Sequence, residues 1–182
     1  GENDAVLLIP NPLMPAGRHL DTSEIIGIQG WLDAQSNRSL IIDACYNYGV
    51  KSFLNMFEGD RVYELHSTSK LFLKNKQKGW LITHNKSLDI GWVERPQTLV
   101  RLPQHLKAAE FRMSTCWRES TTHFVGIDPG WKQPELGYFS TINCPFDQLL
   151  ARHNVAGVPA SVFGSAQQNV SVVSILKMLK DV

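Results

Sequence analysis

The chain has 182 residues, enough for one domain or one and a half with a real core. Its apolar fraction of 43% and charged fraction of 19% are those of an ordinary soluble globular protein. A formal net charge of +1 gives no electrostatic reason to expect nucleic acid or an anionic membrane as partner, and no apolar run approaches the roughly 18–20 residues that span a bilayer.

Gly1 and the polar residues after it read as a cut edge rather than a natural start, with no charged-then-apolar leader. Val6 to Ile9 is a short apolar run ended by Pro10, consistent with a buried strand. Pro12, Pro15 and Gly17 follow closely and mark a shaped loop. Asp21-Thr-Ser-Glu24 then has the form of a capping box, with Asp21 as N-cap and Glu24 three residues on. The helix it opens is expected to run to about Gln35, with Ile25, Ile28, Trp31 and Leu32 near one face.

Ser39 to Ile42 reads as a second short strand that delivers Asp43 at its C-terminal end. Strand, helix, strand within about forty residues is the βαβ pattern of a parallel sheet. Arg61–Leu65 and Gly79–Thr83 read as two further strands. Ligands of such sheets bind at the carboxyl ends of the strands, and Asp43, Ser67 and Lys70 all fall near such ends. Beyond Asn85, residues Pro96–Phe111 read as helical with a break near Pro103, and His123–Gly137 as a run of turns. Gly137–Cys144 reads as a strand, Phe146–His153 as a helix, and Val170–Ile175 as a strand leading into a closing helix. The fold class expected is α/β: part of a mostly parallel sheet over residues 1–95, followed by a small α+β domain over 96–182.

Three cysteines at wide, unpatterned spacing (Cys45, Cys116, Cys144) suggest reduced thiols and a cytoplasmic setting. No Cys or His pair has zinc-ligand spacing, so no metal site is expected. The six histidines read as surface or core packing.

The chemistry-bearing signal comes in three ordered pieces: Asn11-Pro-Leu-Met-Pro-Ala-Gly17, Asp43-Ala-Cys-Tyr46 and Ser67-Thr-Ser-Lys70. Gly17 precedes Asp43 by 26 residues, and Asp43 precedes Lys70 by 27. Together they resemble the second half of a class I/II aminotransferase of fold-type I, the pyridoxal-phosphate (PLP) enzymes. That family carries N-P-x-N-P-T-G after a strand, then D-x-x-Y at a strand end, then S-x-S-K. The resemblance covers about Val6 to Asn85, and loosely Gly137 to the end.

The resemblance implies that Lys70 forms the imine with the cofactor aldehyde and later moves a proton. It implies that Asp43 faces the pyridine nitrogen, Tyr46 lies near the ring oxygen and Ser67 holds the phosphate. Lys78 stands where the family has a phosphate-gripping arginine, keeping the charge without the fork geometry. A small-molecule amine or amino acid substrate and a homodimer are implied as well.

Departures are as informative. Met14 replaces the loop amide that donates to the ring oxygen. The arginine that binds the substrate carboxylate follows an F-G turn; here the turn is Phe163-Gly164, and Ser171 or Val172 takes the arginine's place. Arg118 and Arg152 are candidate substitutes. Two further readings therefore accompany amino-group transfer: a degenerate, non-catalytic relative kept for binding or assembly, and another PLP reaction such as lysis or decarboxylation. Ser67-Thr-Ser-Lys70 also fits the S-x-x-K of penicillin-binding proteins, but Lys86-Ser-Leu88 fails the glycine of the K-T-G element that chemistry needs.

Overall fold

The computed structural model describes residues 5–47, 52–70, 79–88 and 102–175. The chain folds as two compact units, one of residues 1–12 and 19–109, the other of residues 13–18 and 110–182.

The first unit is a four-stranded sheet in the order β1 (Ala5–Pro10), β2 (Arg38–Asp43), β3 (Val62–Ser67), β4 (Gly79–Thr83). The first three strands are parallel and β4 is antiparallel to β3. The fold class is therefore α/β, with a mostly parallel sheet. The β1–β2 crossover is α1 (Thr22–Asp33), and both halves of its capping box form. The Asp21 carboxylate accepts the Glu24 amide at 2.9 Å, and the Glu24 carboxylate accepts the Asp21 amide at 2.9 Å.

One face of this sheet is a core. Leu40, Ile42 and Ala44 from β2 and its end are inaccessible, and so is Val62 of β3. Leu32 of α1 is also buried, as are Phe53, Leu54 and Phe57 in and beside a 3-10 turn at Leu54–Met56. The opposite face is open. Its register carries Val6 and Leu8 of β1, Ile41 and Asp43 of β2, and Leu65 of β3. Val6 is 60% exposed, Leu8 62% and Leu65 39%, which is unusual for parallel strands normally covered on both sides.

Helix α2 (Leu102–Ile127) is one unbroken helix of 26 residues, and its residues from 110 onward lie in the second unit. This corrects the expectation of a helix over 96–111, broken near Pro103 and followed by turns from His123. Pro103 falls in the helix's first turn, where a missing N–H costs nothing. The helical stripe that sequence reading missed is Met113, Trp117, Ser120 and Phe124, all buried. Residues 96–101 lie outside the described residues. The turn expected at Asp128-Pro-Gly130 is present, with the Asp128 carboxylate accepting the Gly130 amide at 2.9 Å.

Trp117, Phe124 and Trp131 form an aromatic core with ring centres 5.1–6.0 Å apart. Both indole N–H groups are satisfied, Trp117 by the Gly137 carbonyl at 2.8 Å and Trp131 by the Ser140 hydroxyl at 2.9 Å. Next come β5 (Phe139–Ile142), α3 (Phe146–His153), β6 (Gly157–Pro159) and β7 (Ser171–Ser174). The three strands make an antiparallel sheet in the order β5, β7, β6. Helix α3 spans the expected residues and ends on Asn154 in the left-handed conformation, φ 54°. Strand β6 escaped sequence reading because three residues bounded by Gly and Pro carry no periodic signal. The expected closing helix lies outside the described residues.

Candidate functional site

Strands β2 and β3 bring three of the expected site residues together at their carboxyl ends. Asp43 is the last residue of β2 and pairs in register with Leu65, so Ser67, the last residue of β3, rises from the same face two residues further on. The Asp43 carboxylate accepts the Cys45 amide at 3.0 Å, which turns the chain sharply past the strand end. Tyr46 follows in that turn. The Lys70 ammonium lies 5.5 Å from the centre of the Tyr46 ring.

The Cys45 thiol reports the same convergence. Burial, then the hydrogen bond and charge of Asp43, push it up to about 12, and the Lys70 charge pulls in the opposite direction. One thiol thus feels both the carboxylate and the ammonium. Lys70 itself is exposed, while Asp43 and Tyr46 are half-buried.

Ser67 is placed at the strand end but turned to a local partner. Its hydroxyl donates to the Ser69 hydroxyl at 2.8 Å and accepts the Ser69 amide at 3.0 Å. Lys78 lies outside the described residues.

The loop between β1 and α1 is held at both ends. The Asn11 amide donates to the Asp43 carbonyl at 3.0 Å, and the Asn11 side-chain oxygen accepts the Leu20 amide at 3.2 Å. Asn11 is wholly buried, and its side-chain nitrogen has no hydrogen-bond partner among the described residues. Within the second unit, Gly17 adopts φ +66°, and a Cβ there would come within 2.4 Å of the Pro134 Cβ. Its carbonyl accepts the Glu135 amide at 2.7 Å and the Leu136 amide at 3.1 Å. A cleft of about 350 Å³ beside this loop is walled by Arg18, Trp131, Lys132 and Ser140, none of them a residue singled out for chemistry.

At β7 the side chains turn inward. Ser171 is inaccessible and donates to the Cys144 carbonyl at 2.6 Å, and Val172 is 3% exposed. No cation stands on the described strand. Arg118 is exposed on α2, within 3.5 Å of the Thr115 hydroxyl, and Arg152 is exposed in the last turn of α3.

Sequence reading missed the buried Glu64–His66 pair on β3. The only signal was two polar residues at alternate positions of a strand, on the face that elsewhere carries Val62. Among the described residues no helix is long and apolar enough to cross a membrane, and no three or more His, Cys, Asp or Glu cluster as metal ligands would.

No family model and no curated protein sequence matches the chain. Solved structures do. A methionine aminotransferase of Escherichia coli superposes with a TM-score of 0.67 at 14% identity, over 93% of this chain and 53% of its own. For the aspartate aminotransferase of Thermotoga maritima the TM-score is 0.61 at 22% identity, over 97% and 54%. The N-succinyldiaminopimelate aminotransferase of Mycobacterium tuberculosis gives 0.62 at 16%, over 93% and 53%. The chain has the fold of the second half of an aminotransferase subunit. It spans about half the length of the aminotransferases that it matches. Within that aminotransferase fold, the Asp43–Tyr46 turn and Lys70 stand at the carboxyl ends of the parallel strands, and Ser171 lies on the small antiparallel sheet.

Proposed function

We propose that this chain belongs to a PLP-dependent amino-group transferase in which Lys70 bears the cofactor. One observation supports the reading above the others: amine, phenol and carboxylate converge beside Cys45 at the ends of β2 and β3. The donor set suits such a group, with a primary amine to bond it, a carboxylate for a protonated ring nitrogen and hydroxyls for a phosphate. Asp43 would hold the proton on the ring nitrogen, Tyr46 would donate to the ring oxygen, and Ser67 and Lys78 would bind the phosphate. PLP, when bound, supplies an aldehyde that condenses with amines and a ring that draws electrons from the adjacent carbon. The Lys70 amine, once released, would carry a proton to and from the substrate carbon.

Residues 1–95 are read as the second half of the cofactor-binding domain and 96–182 as the small domain; the two compact units divide later, after residue 109, with residues 13–18 in the second. The intact protein is read as a cytoplasmic homodimer acting on a small amine or amino acid. Three cysteines free of disulfides are in keeping with that compartment. The experiment is Lys70→Ala: the change in cofactor absorbance on mixing with PLP is expected to vanish, and an unchanged absorbance would remove the reading.

A second reading, a non-catalytic relative kept for binding or assembly, is favoured by β7. A satisfied, buried Ser171 stands where a carboxylate-gripping arginine is expected. Lysis or decarboxylation would share the Lys70 chemistry and differ in how the substrate is held. Transamination by the intact protein would exclude the non-catalytic reading.

A further inference from the structure

Two polar side chains on β3 stand apart from the Lys70 cluster and are buried. Glu64 is inaccessible and His66 is 7% exposed. They lie two residues apart on one strand, so both point to the covered face of the sheet. His66 Nε2 is 2.7 Å from one Glu64 oxygen. The other oxygen accepts the Ser52 hydroxyl and, at 3.0 Å, the Leu54 amide. The His66 ring stacks on Trp80 of β4, 4.9 Å away and nearly parallel.

A buried carboxylate with three donors is a poor way to gain stability alone, since well-packed apolar residues in the same space do at least as well. What it adds is direction. Each donor must sit at a fixed angle and distance, and here the donors come from two separate stretches of chain. Ser52 and Leu54 belong to the segment that returns from the Asp43–Tyr46 turn to β3. His66 immediately precedes Ser67 and lies four residues before Lys70.

We propose that Glu64 is a positioning residue for the Lys70 cluster, one buried carboxylate fastening the segment that returns from Tyr46 to the strand that carries Ser67 and Lys70. The inference rests on reading Lys70 as the functional amine, but its test separates the two. Apolar substitution would fill the space and leave the segment free to slide relative to the strand. The Lys70–Tyr46 contact would then loosen although neither residue had changed.

The lysines of the cofactor-free protein are reductively methylated with 13C, and the Lys70 signal is assigned by its loss in Lys70→Arg. In the wild type that signal is expected to be displaced by the Tyr46 ring. In Glu64→Leu it should move to the position of exposed lysines such as Lys86, while unfolding stays cooperative. In a parallel unmethylated sample, the pyridoxyl label that borohydride fixes on Lys70 should fall by up to about a hundredfold, the cost of displacing a reacting group by about an ångström. Ser52→Ala, which removes one donor and leaves the carboxylate, should shift the signal part of the way. It serves as the deciding variant if Glu64→Leu does not fold. An unmoved Lys70 signal in the folded variant would overturn the proposal. If the wild type takes no label at Lys70 while the signal still follows Glu64, the cofactor reading fails and the positioning role stands.

Discussion

The Lys70 ammonium lies 5.5 Å from the centre of the Tyr46 ring, joining the turn after β2 to the turn after β3. The ring can serve in two ways, as a face for the cation and through its hydroxyl. Tyr46→Phe keeps the first and removes the second. It should keep Lys70 as the preferred site of pyridoxyl labelling, whereas Tyr46→Leu should reduce that preference about threefold, the worth of an exposed cation–ring contact. Equal labelling in the two variants would show that the ring face is irrelevant.

Cys45 offers a cofactor-free gauge of the same site. With its thiol pushed up to about 12 by burial and by Asp43, it should react with iodoacetamide at pH 8 far more slowly than a free thiol. Asp43→Asn removes the negative charge while keeping an acceptor oxygen, and should speed the reaction several-fold by lowering the thiol pKa. Lys70→Ala removes a charge that favours the thiolate and should slow it. Mass spectrometry of the alkylated peptide reads both, and a rate indifferent to Asp43 would contradict the arrangement described.

Glu64 ties acidity to stability. Burial pushes its carboxyl up, but hydrogen bonds from His66 and Ser52, the His66 charge and the Phe53 backbone outweigh burial and hold it below its ordinary 4.5. A carboxyl lower in the folded than in the unfolded state stabilises fully above the unfolded value and loses that contribution as pH falls through the folded one. Stability should therefore decline below about pH 4.5 in the wild type, and that part of the decline should be absent in Glu64→Gln. His66→Phe leaves a buried carboxylate short of a partner and should cost about 3 kcal/mol at neutral pH, read by chemical denaturation.

Gly17→Ala should destabilise the second unit by about 3 kcal/mol, from an unfavourable backbone and an overpacked contact together. The added Cβ would meet the Pro134 Cβ at 2.4 Å and the Leu136 and Phe139 carbonyls at 3.0 Å. Thermal unfolding checks this, and an unchanged midpoint would mean the loop sits elsewhere.

Much of this was legible in the sequence where a local rule acts alone. The Asp21 and Glu24 pair announced α1, and short apolar runs announced β1 and β2. Asp43 and Ser67 stand at strand ends as their positions implied. Helix α2 was misread because Pro103 resembled a break and the turn residues at Asp128-Pro-Gly130 drew the reading of turns back to His123. Its buried stripe gains meaning only from Trp131, which lies beyond the helix. The Glu64–His66 pair was hidden for a similar reason, since its partners Ser52 and Trp80 lie 12 and 16 residues away from Glu64. The open face of Val6, Leu8 and Leu65 follows from sequence only once the second half of a larger fold is suspected.

The most direct measurement is borohydride trapping: the protein is mixed with PLP, reduced, digested and mapped by mass spectrometry. A pyridoxyl group is expected on Lys70 in preference to every other lysine and the N-terminal amine, with Lys70→Ala losing it. Label scattered without preference, or absent, would contradict the claim that Lys70 bears the cofactor.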